Sequence, residues 1–229
     1  MLHIGIVACS TEGAALCYRT ISLESGQRLG QHDHPEISLH SFPLAQYMKS
    51  IDANDWAGAA ELMLASADKL ARAGADFLIC PDNTIHQAFD LVEHRSPRPW
   101  LHIAREVAAE AKHGGYHRLA VLGTRYLMEG PVYRDTLKTA GIEHHVPGPE
   151  QRERINQIIF EELVNGQIVP RSLVYYVEVI RALKGEGCDA VVLGCTEIPL
   201  LVTPESSPLP TLDSTRLLAR AAVVKAIEG

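Results

Sequence analysis

Val191-Val192-Leu193-Gly194-Cys195-Thr196-Glu197-Ile198-Pro199 is the stretch on which the reading of the whole chain turns. Its opening residues are β-branched or apolar and predict a buried strand. The abrupt change to Gly194, Cys195, Thr196 and Glu197 predicts a strand end that opens onto a site. In a parallel α/β sheet, that end is where ligands bind. A cysteine placed there lies among the backbone N–H groups of the following turn, whose partial positive charge stabilises a thiolate or a bound carboxylate. Cys195 is thus a candidate for chemistry, the alternative being a small buried hydrophobe.

A second stretch has the same form. Phe77-Leu78-Ile79-Cys80-Pro81-Asp82-Asn83-Thr84-Ile85-His86 is again a short apolar run that ends in polar groups and a hydroxyl. Together the two resemble the cofactor-independent aspartate/glutamate racemase superfamily, whose signatures are a strand ending in Cys-Asn-Thr-x-His and a later Gly-Cys-Thr-Glu-Ile. The later signature is complete at Gly194 to Ile198. The earlier one is present as Asn83, Thr84 and His86, but Asp82 stands where many members carry their first cysteine. Cys80 comes two residues before that position, on Asp82's side of the strand but one pleat deeper.

Composition narrows the classes of function. A chain of 229 residues with 46% hydrophobic content can bury a large core, as one domain or two intimate halves. A net charge of −7 without long runs gives no reason to expect nucleic acid or an anionic membrane as partner. No apolar run approaches the roughly 20 residues of a membrane span, and Met1 leads directly into a strand, so a cytoplasmic protein is expected. The five cysteines, at positions 9, 17, 80, 188 and 195, contain no Cys-x-x-Cys pair and no zinc spacing; reduced thiols and no bound metal are expected. His32, Asp33 and His34 lack a third ligand placed by secondary structure and read as a solvated loop.

The order of elements is an alternation of strands and helices, expected to form an α/β protein of two pseudo-symmetric lobes. Each lobe is a mainly parallel sheet flanked by helices, with an active-site cleft between the lobes. In the first, residues 4–8 predict a strand ending at Cys9, Ser10 and Thr11, and a helix follows to about Arg28. Ser10 and Thr11 suit either an anion-binding strand end or an ordinary hydroxyl cap. A strand over 36–42, a loop to Asp55, and a helix over 56–73 stopped by Gly74 lead into the strand at 77. His102, set in an apolar stretch, reads as a core histidine. The second lobe repeats the plan, with a strand at 119–122 before Thr124, a strand over 142–146, helices over 150–165 and 172–184, and the strand ending at Gly194. The expected domains are residues 1–97 with 210–229, and 98–209. Pairing the repeats sets Ser10 opposite Thr124, and Asp82-Asn83-Thr84 opposite Gly194-Cys195-Thr196.

Inverting an α-carbon requires an acid or base on each face, which two related strand ends can supply. Without a cofactor to absorb the carbanion, hydrogen-bond donors around the α-carboxylate must stabilise it. By the resemblance, Cys195 is one of the two bases, and Asn83, Thr84, Thr124 and Thr196 hold the α-carboxylate and amino group of a small amino-acid or carboxylate substrate. Asp82 either serves as the other base or caps the helix that begins near Thr84. Glu197 either contacts the substrate, as the family carries it there, or caps its own helix; His86 either contacts the site or braces the motif. No Lys lies at the four strand ends, so pyridoxal phosphate has no evident anchor and no cofactor is expected. Arg19, Arg154 and Arg171 are the possible clamps for a second carboxylate. The expected activity is that of an amino-acid racemase, on aspartate, glutamate or a related compound, and the expected assembly is a homodimer. A decarboxylase of the arylmalonate type with Cys195 as sole proton donor, and an inactive ligand-binding relative, are the alternatives.

Overall fold

The computed structural model describes residues 1–229. Its strands form two four-stranded sheets in which every pairing is parallel. The first contains β1 (Ile4–Ala8), β2 (Ile37–Ser41), β3 (Phe77–Ile79) and β4 (Trp100–Leu101), in the order β2-β1-β3-β4. The second contains β5 (Arg118–Leu122), β6 (Glu143–His145), β7 (Ala190–Leu193) and β8 (Thr211–Asp213), in the order β6-β5-β7-β8. The chain divides into two compact units, Met1–Ile103 with Thr215–Gly229, and Ala104–Ser214.

In the first unit, β1 and β3 are buried along their whole length, as continuous apolar runs covered on both faces must be. Ile4, Ile6, Phe77 and Ile79 pack with Cys17 and Ile21 of the helix Thr11–Glu24 and with Leu218 and Ala222 of the helix Ser214–Glu228. Each such aliphatic side chain contributes about 1.5–3 kcal/mol when removed from water. Gly5 allows the close fit on the other face, since a Cβ there would lie 2.5 Å from Leu78 Cδ2 and 2.9 Å from Ala75 Cβ. The helix Trp56–Arg72 starts at Asp55, whose carboxylate accepts the Gly58 N–H at 2.8 Å, and buries the Ala59, Met63, Ser66 and Leu70 face. In the second unit, Ala120, Leu122, Val191 and Leu193 pack with Ile155 and Ile159 of the helix Pro149–Glu161 and with Tyr176, Ile180 and Leu183 of the helix Pro170–Gly185.

The same device starts the central strand of both sheets. Gly74 (φ 98°) and Gly187 (φ 93°) turn the chain out of the preceding helix in a conformation that only glycine adopts without strain. Two residues later an aspartate clamps the neighbouring strand. Asp76 Oδ2 accepts the His3 N–H at 2.8 Å, while the Asp189 carboxylate accepts the His117 and Arg118 N–H groups at 2.6 and 3.1 Å.

The structure departs from the sequence reading at several elements. The expected loop before Asp55 contains a helix, Leu44–Asp52, whose Leu44, Tyr47, Met48 and Ile51 recur at helical spacing, a local signal that the loop reading passed over; Tyr47 and Ile51 are its buried residues. Helices Arg125–Glu129 and Pro131–Ala140 occupy a stretch to which the pattern assigned no element. The strand at 211–213, expected to return to the first lobe, is β8 of the second sheet, where its backbone pairs with the open edge of β7; the helix after it does pack in the first unit. Likewise β4 pairs with β3, so the first sheet extends beyond residue 97.

Candidate active site

In the first unit β1 and β3 are neighbours, and the residues beyond their C-terminal ends form one group. Ser10 caps the helix Thr11–Glu24, its Oγ accepting the Gly13 N–H at 3.2 Å, and Thr11 is the exposed first residue of that helix. Beyond β3, Cys80 and Pro81 are buried, Asp82 is half-buried, Asn83 is buried and Thr84 is half-buried. Asp82 Oδ1 accepts the Ile85 N–H at 3.4 Å, a long bond that makes it a weak cap of the short 3₁₀ turn Thr84–Ala88. His86 braces this loop. Its Nδ1 lies 2.7 Å from the Asp82 carbonyl oxygen and its Nε2 accepts the Ile103 N–H at 3.4 Å, which fixes a neutral imidazole with the proton on Nδ1. The ring stacks on Phe89 and meets buried His102 edge-on at 4.6 Å.

Cys80 cannot replace the cysteine that Asp82 displaces. It is fully buried, and burial, aided by the Asp82 charge, pushes its thiol well above the ordinary thiol range. A thiol held neutral in this way is a poor base.

In the second unit β5 and β7 end together, and glycine is what lets them. The Gly194 N–H donates to the Leu122 carbonyl at 2.7 Å, and a Cβ on Gly194 would lie 2.9 Å from that oxygen and 2.5 Å from Leu127 Cδ2. Thr124 caps the helix Arg125–Glu129, its Oγ1 accepting the Leu127 N–H at 3.3 Å. Cys195 follows Gly194, and of the five cysteines it alone is not buried. Its Sγ donates to Glu197 Oε2 at 3.0 Å, and Thr196 Oγ1 donates to the same oxygen at 2.8 Å. The sequence offered Glu197 as a substrate contact or a helix cap; its buried carboxylate is engaged with the cysteine and the threonine and makes no capping bond to the short helix Ile198–Leu201.

The shared strand start fixes the correspondence between the two ends. Asp82 stands as far beyond the clamp Asp76 as Cys195 stands beyond the clamp Asp189. Asp82 therefore matches Cys195, Asn83 matches Thr196 and Thr84 matches Glu197, one position on from the pairing expected from sequence, because the strand starts and not the polar runs fix the register; Gly194 falls opposite Pro81.

The family model for the Asp/Glu/Hydantoin racemases matches residues 6–222. The chain belongs to the Asp/Glu/Hydantoin racemase family. The broad-specificity amino-acid racemase RacX of Bacillus subtilis (strain 168) is 26% identical to it over 197 residues, covering 83% of this chain and 82% of that protein. A candidate Asp/Glu racemase from Yersinia pestis, of known crystal structure, superposes with a TM-score of 0.92 at 35% identity, over 100% of both chains. An aspartate racemase homologue from Pyrococcus horikoshii OT3 does so with a TM-score of 0.87 at 30% identity, again over 100% of both.

The other residues marked from sequence are exposed or engaged with neighbours of their own. His32 and His34 are exposed, His34 Nδ1 being paired with the Pro35 carbonyl at 2.8 Å, and no cluster of His, Cys, Asp and Glu side chains in the chain could hold a metal ion. Arg19 and Arg171 are exposed, and Arg154 is directed to Gln157 and Glu162. One residue of the core against which Cys195 packs escaped the sequence reading. Tyr176 is fully buried, packs in the core cluster that Cys195 adjoins, and its hydroxyl makes no hydrogen bond. The apolar spacing of its helix singles out Leu173, Val177, Ile180 and Leu183; Ile180 and Leu183 are buried, whereas Leu173 and Val177 are half-buried, and Ser172, Tyr176 and Val179 complete the buried face.

Proposed function

We propose that this protein is an isomerase, an amino-acid racemase acting without pyridoxal phosphate on aspartate, glutamate or a related amino acid, with Asp82 and Cys195 as its two proton-transfer groups. The observation that carries the reading is the structural equivalence of these residues at the ends of β3 and β7. The family membership supports it, as does the relative in Bacillus subtilis that is named a broad-specificity amino-acid racemase. Ser10, Thr11, Asn83, Thr84, Thr124 and Thr196 supply hydroxyl and amide groups at the same strand ends, suited to the substrate's α-carboxylate and ammonium and to charge developing at the carboxylate.

Different chemistry at the two ends gives the reaction a resting polarity. An ordinary carboxyl ionises near pH 4 and an ordinary thiol near 8.5, so at neutral pH Asp82 starts as the base and Cys195 as the acid. Glu197 reinforces this, because a carboxylate that accepts the S–H orients the thiol and opposes its ionisation. Asp82 removes the α-proton from the enantiomer that presents it, the electron pair is held on the α-carbon and its carboxylate, and Cys195 gives its proton to the opposite face. The pair must then exchange protons with solvent, a step that runs downhill from protonated Asp82 and thiolate. Because the enantiomers have equal free energy, kcat/KM is the same in both directions, and the asymmetry lies in kcat and KM separately.

The protein is further proposed to act in the cytoplasm as a homodimer; it has no helix long and apolar enough to cross a membrane. The test is incubation of each enantiomer of aspartate and glutamate, then of other amino acids, with the purified protein and no added cofactor, followed by chiral chromatography. The opposite enantiomer should appear with deuterium at the α-carbon in D₂O. Release of carbon dioxide from an arylmalonate without racemisation of any amino acid, or a pyridoxal absorbance band in the active protein, would overturn the reading.

A further inference from the structure

Tyr176 is a fully buried hydroxyl that makes no hydrogen bond, in a protein interior where such groups are rare and costly to leave unpaired. Its helix, Pro170–Gly185, packs it in the cluster that contains Ile198 and Leu201 and against which Cys195 lies. The charged and titratable groups facing it are Cys195 and Glu197 from the end of β7, Glu162 from the segment after the helix Pro149–Glu161, and Tyr175 from its own helix. Two of these are already engaged. Glu162 Oε2 accepts the Ser172 hydroxyl, with Arg154 near its other oxygen at 3.9 Å, and Glu197 Oε2 accepts from both Cys195 and Thr196.

We propose that Tyr176 is a positioning residue for Cys195, a donor held in reserve for the thiolate that forms when Cys195 has given up its proton. In the resting state the thiol donates to Glu197, and the sulfur has little need of a donor. Once the S–H bond has broken and the proton has gone to the substrate carbon, the sulfur is an anion beside the Glu197 carboxylate. A hydrogen bond from Tyr176 then becomes available to the charged form alone. An interaction made only in the charged state favours that state, whereas a bond already formed at rest would not.

The inference rests on the reading of Cys195 as a proton-transfer group, and its test is chosen to be independent of turnover. Cys195 is the one cysteine that is not buried, so alkylation by iodoacetamide, located by peptide mass, follows its thiolate across a pH series without any amino-acid substrate. Tyr176→Phe is isosteric and removes a hydroxyl that makes no hydrogen bond, so the melting temperature should not fall. The midpoint for alkylation of Cys195 should rise by about one pH unit, a loss of about tenfold in rate at any pH below it. Tyr47→Phe, which removes a buried tyrosine hydroxyl of the first unit, should leave the curve in place. A shifted curve in a protein that racemises nothing would refute the racemase reading and leave this one standing. Superimposable curves for Tyr176→Phe and the parent, an equal shift in Tyr47→Phe, or no alkylation of Cys195 at any pH would each overturn it.

Discussion

The first and second units share a frame and differ at its tip. Each sheet has the same strand order, each central strand starts with a left-handed glycine and an aspartate clamp, and each neighbouring strand ends at a hydroxyl that caps a helix. Beyond that the ends diverge. β7 ends at Gly194, close against β5, with Cys195 and Thr196 both directed to one oxygen of Glu197. β3 ends at buried Cys80 and Pro81, and its loop is held from below by His86, where the second unit has Pro199. The frame sets where the two groups stand; the tip sets what each can do with a proton. A carboxylate braced through its own carbonyl and a thiol tied to a carboxylate are unequal partners, which is why one is assigned the role of resting base and the other that of resting acid.

The largest effect should come from breaking the second tip. Cys195→Ser keeps the size of the side chain but substitutes a hydroxyl that is far harder to ionise. Racemisation measured by chiral chromatography should fall by about 10²–10⁴-fold with the melting temperature unchanged. Full activity in the serine variant would remove Cys195 from the chemistry.

Making the tips alike should have a smaller effect, in the opposite direction. Asp82→Cys places a thiol at the position that matches Cys195, and two groups of similar pKa bring proton transfer on the two faces closer together. Turnover should rise severalfold from both enantiomers. Because the bond from the Ile85 N–H to Asp82 Oδ1 is long, at 3.4 Å, its loss should cost near the low end of about 0.5–2 kcal/mol. Unchanged turnover with a clearly lower melting temperature would make Asp82 structural.

Loosening the brace should do least to the chemistry. His86→Phe keeps the stacking surface against Phe89 but leaves the Asp82 carbonyl and the Ile103 N–H without their partner. A loss of about 1–3 kcal/mol in chemical denaturation is expected, with kcat lowered more than KM is raised, because Asp82 is displaced while most substrate groups remain. Unaltered stability would mean that the loop is held by something else.

Much of this was legible in the sequence, because the frame is built from signals that residues carry locally. β-branched runs at 4–7 and 190–193 gave the buried strands, Gly74 and Gly166 marked helix ends, and the polar residues after each strand marked the site. What escaped depends on tertiary contact. The helix Leu44–Asp52 is the exception, since Leu44, Tyr47, Met48 and Ile51 carry its period locally. β8 is a strand because β7 offers it an edge, and Tyr176 stands out only when its hydroxyl is found buried without a partner. Glu197 illustrates the same limit. Its position in the motif was plain, but the direction of its carboxylate, toward Cys195, is decided by side-chain geometry that no spacing encodes.

The claim that Asp82 and Cys195 serve opposite faces is tested most directly by α-deuterium incorporation in D₂O, measured separately from the L and the D enantiomer with Cys195→Ser and with Asp82→Asn. Each variant should lose inversion from both enantiomers yet retain exchange from one, namely the enantiomer whose α-hydrogen faces the surviving group, and that enantiomer should differ between the variants. Retention of exchange on the same enantiomer by both variants, or inversion that persists in either, would contradict the assignment.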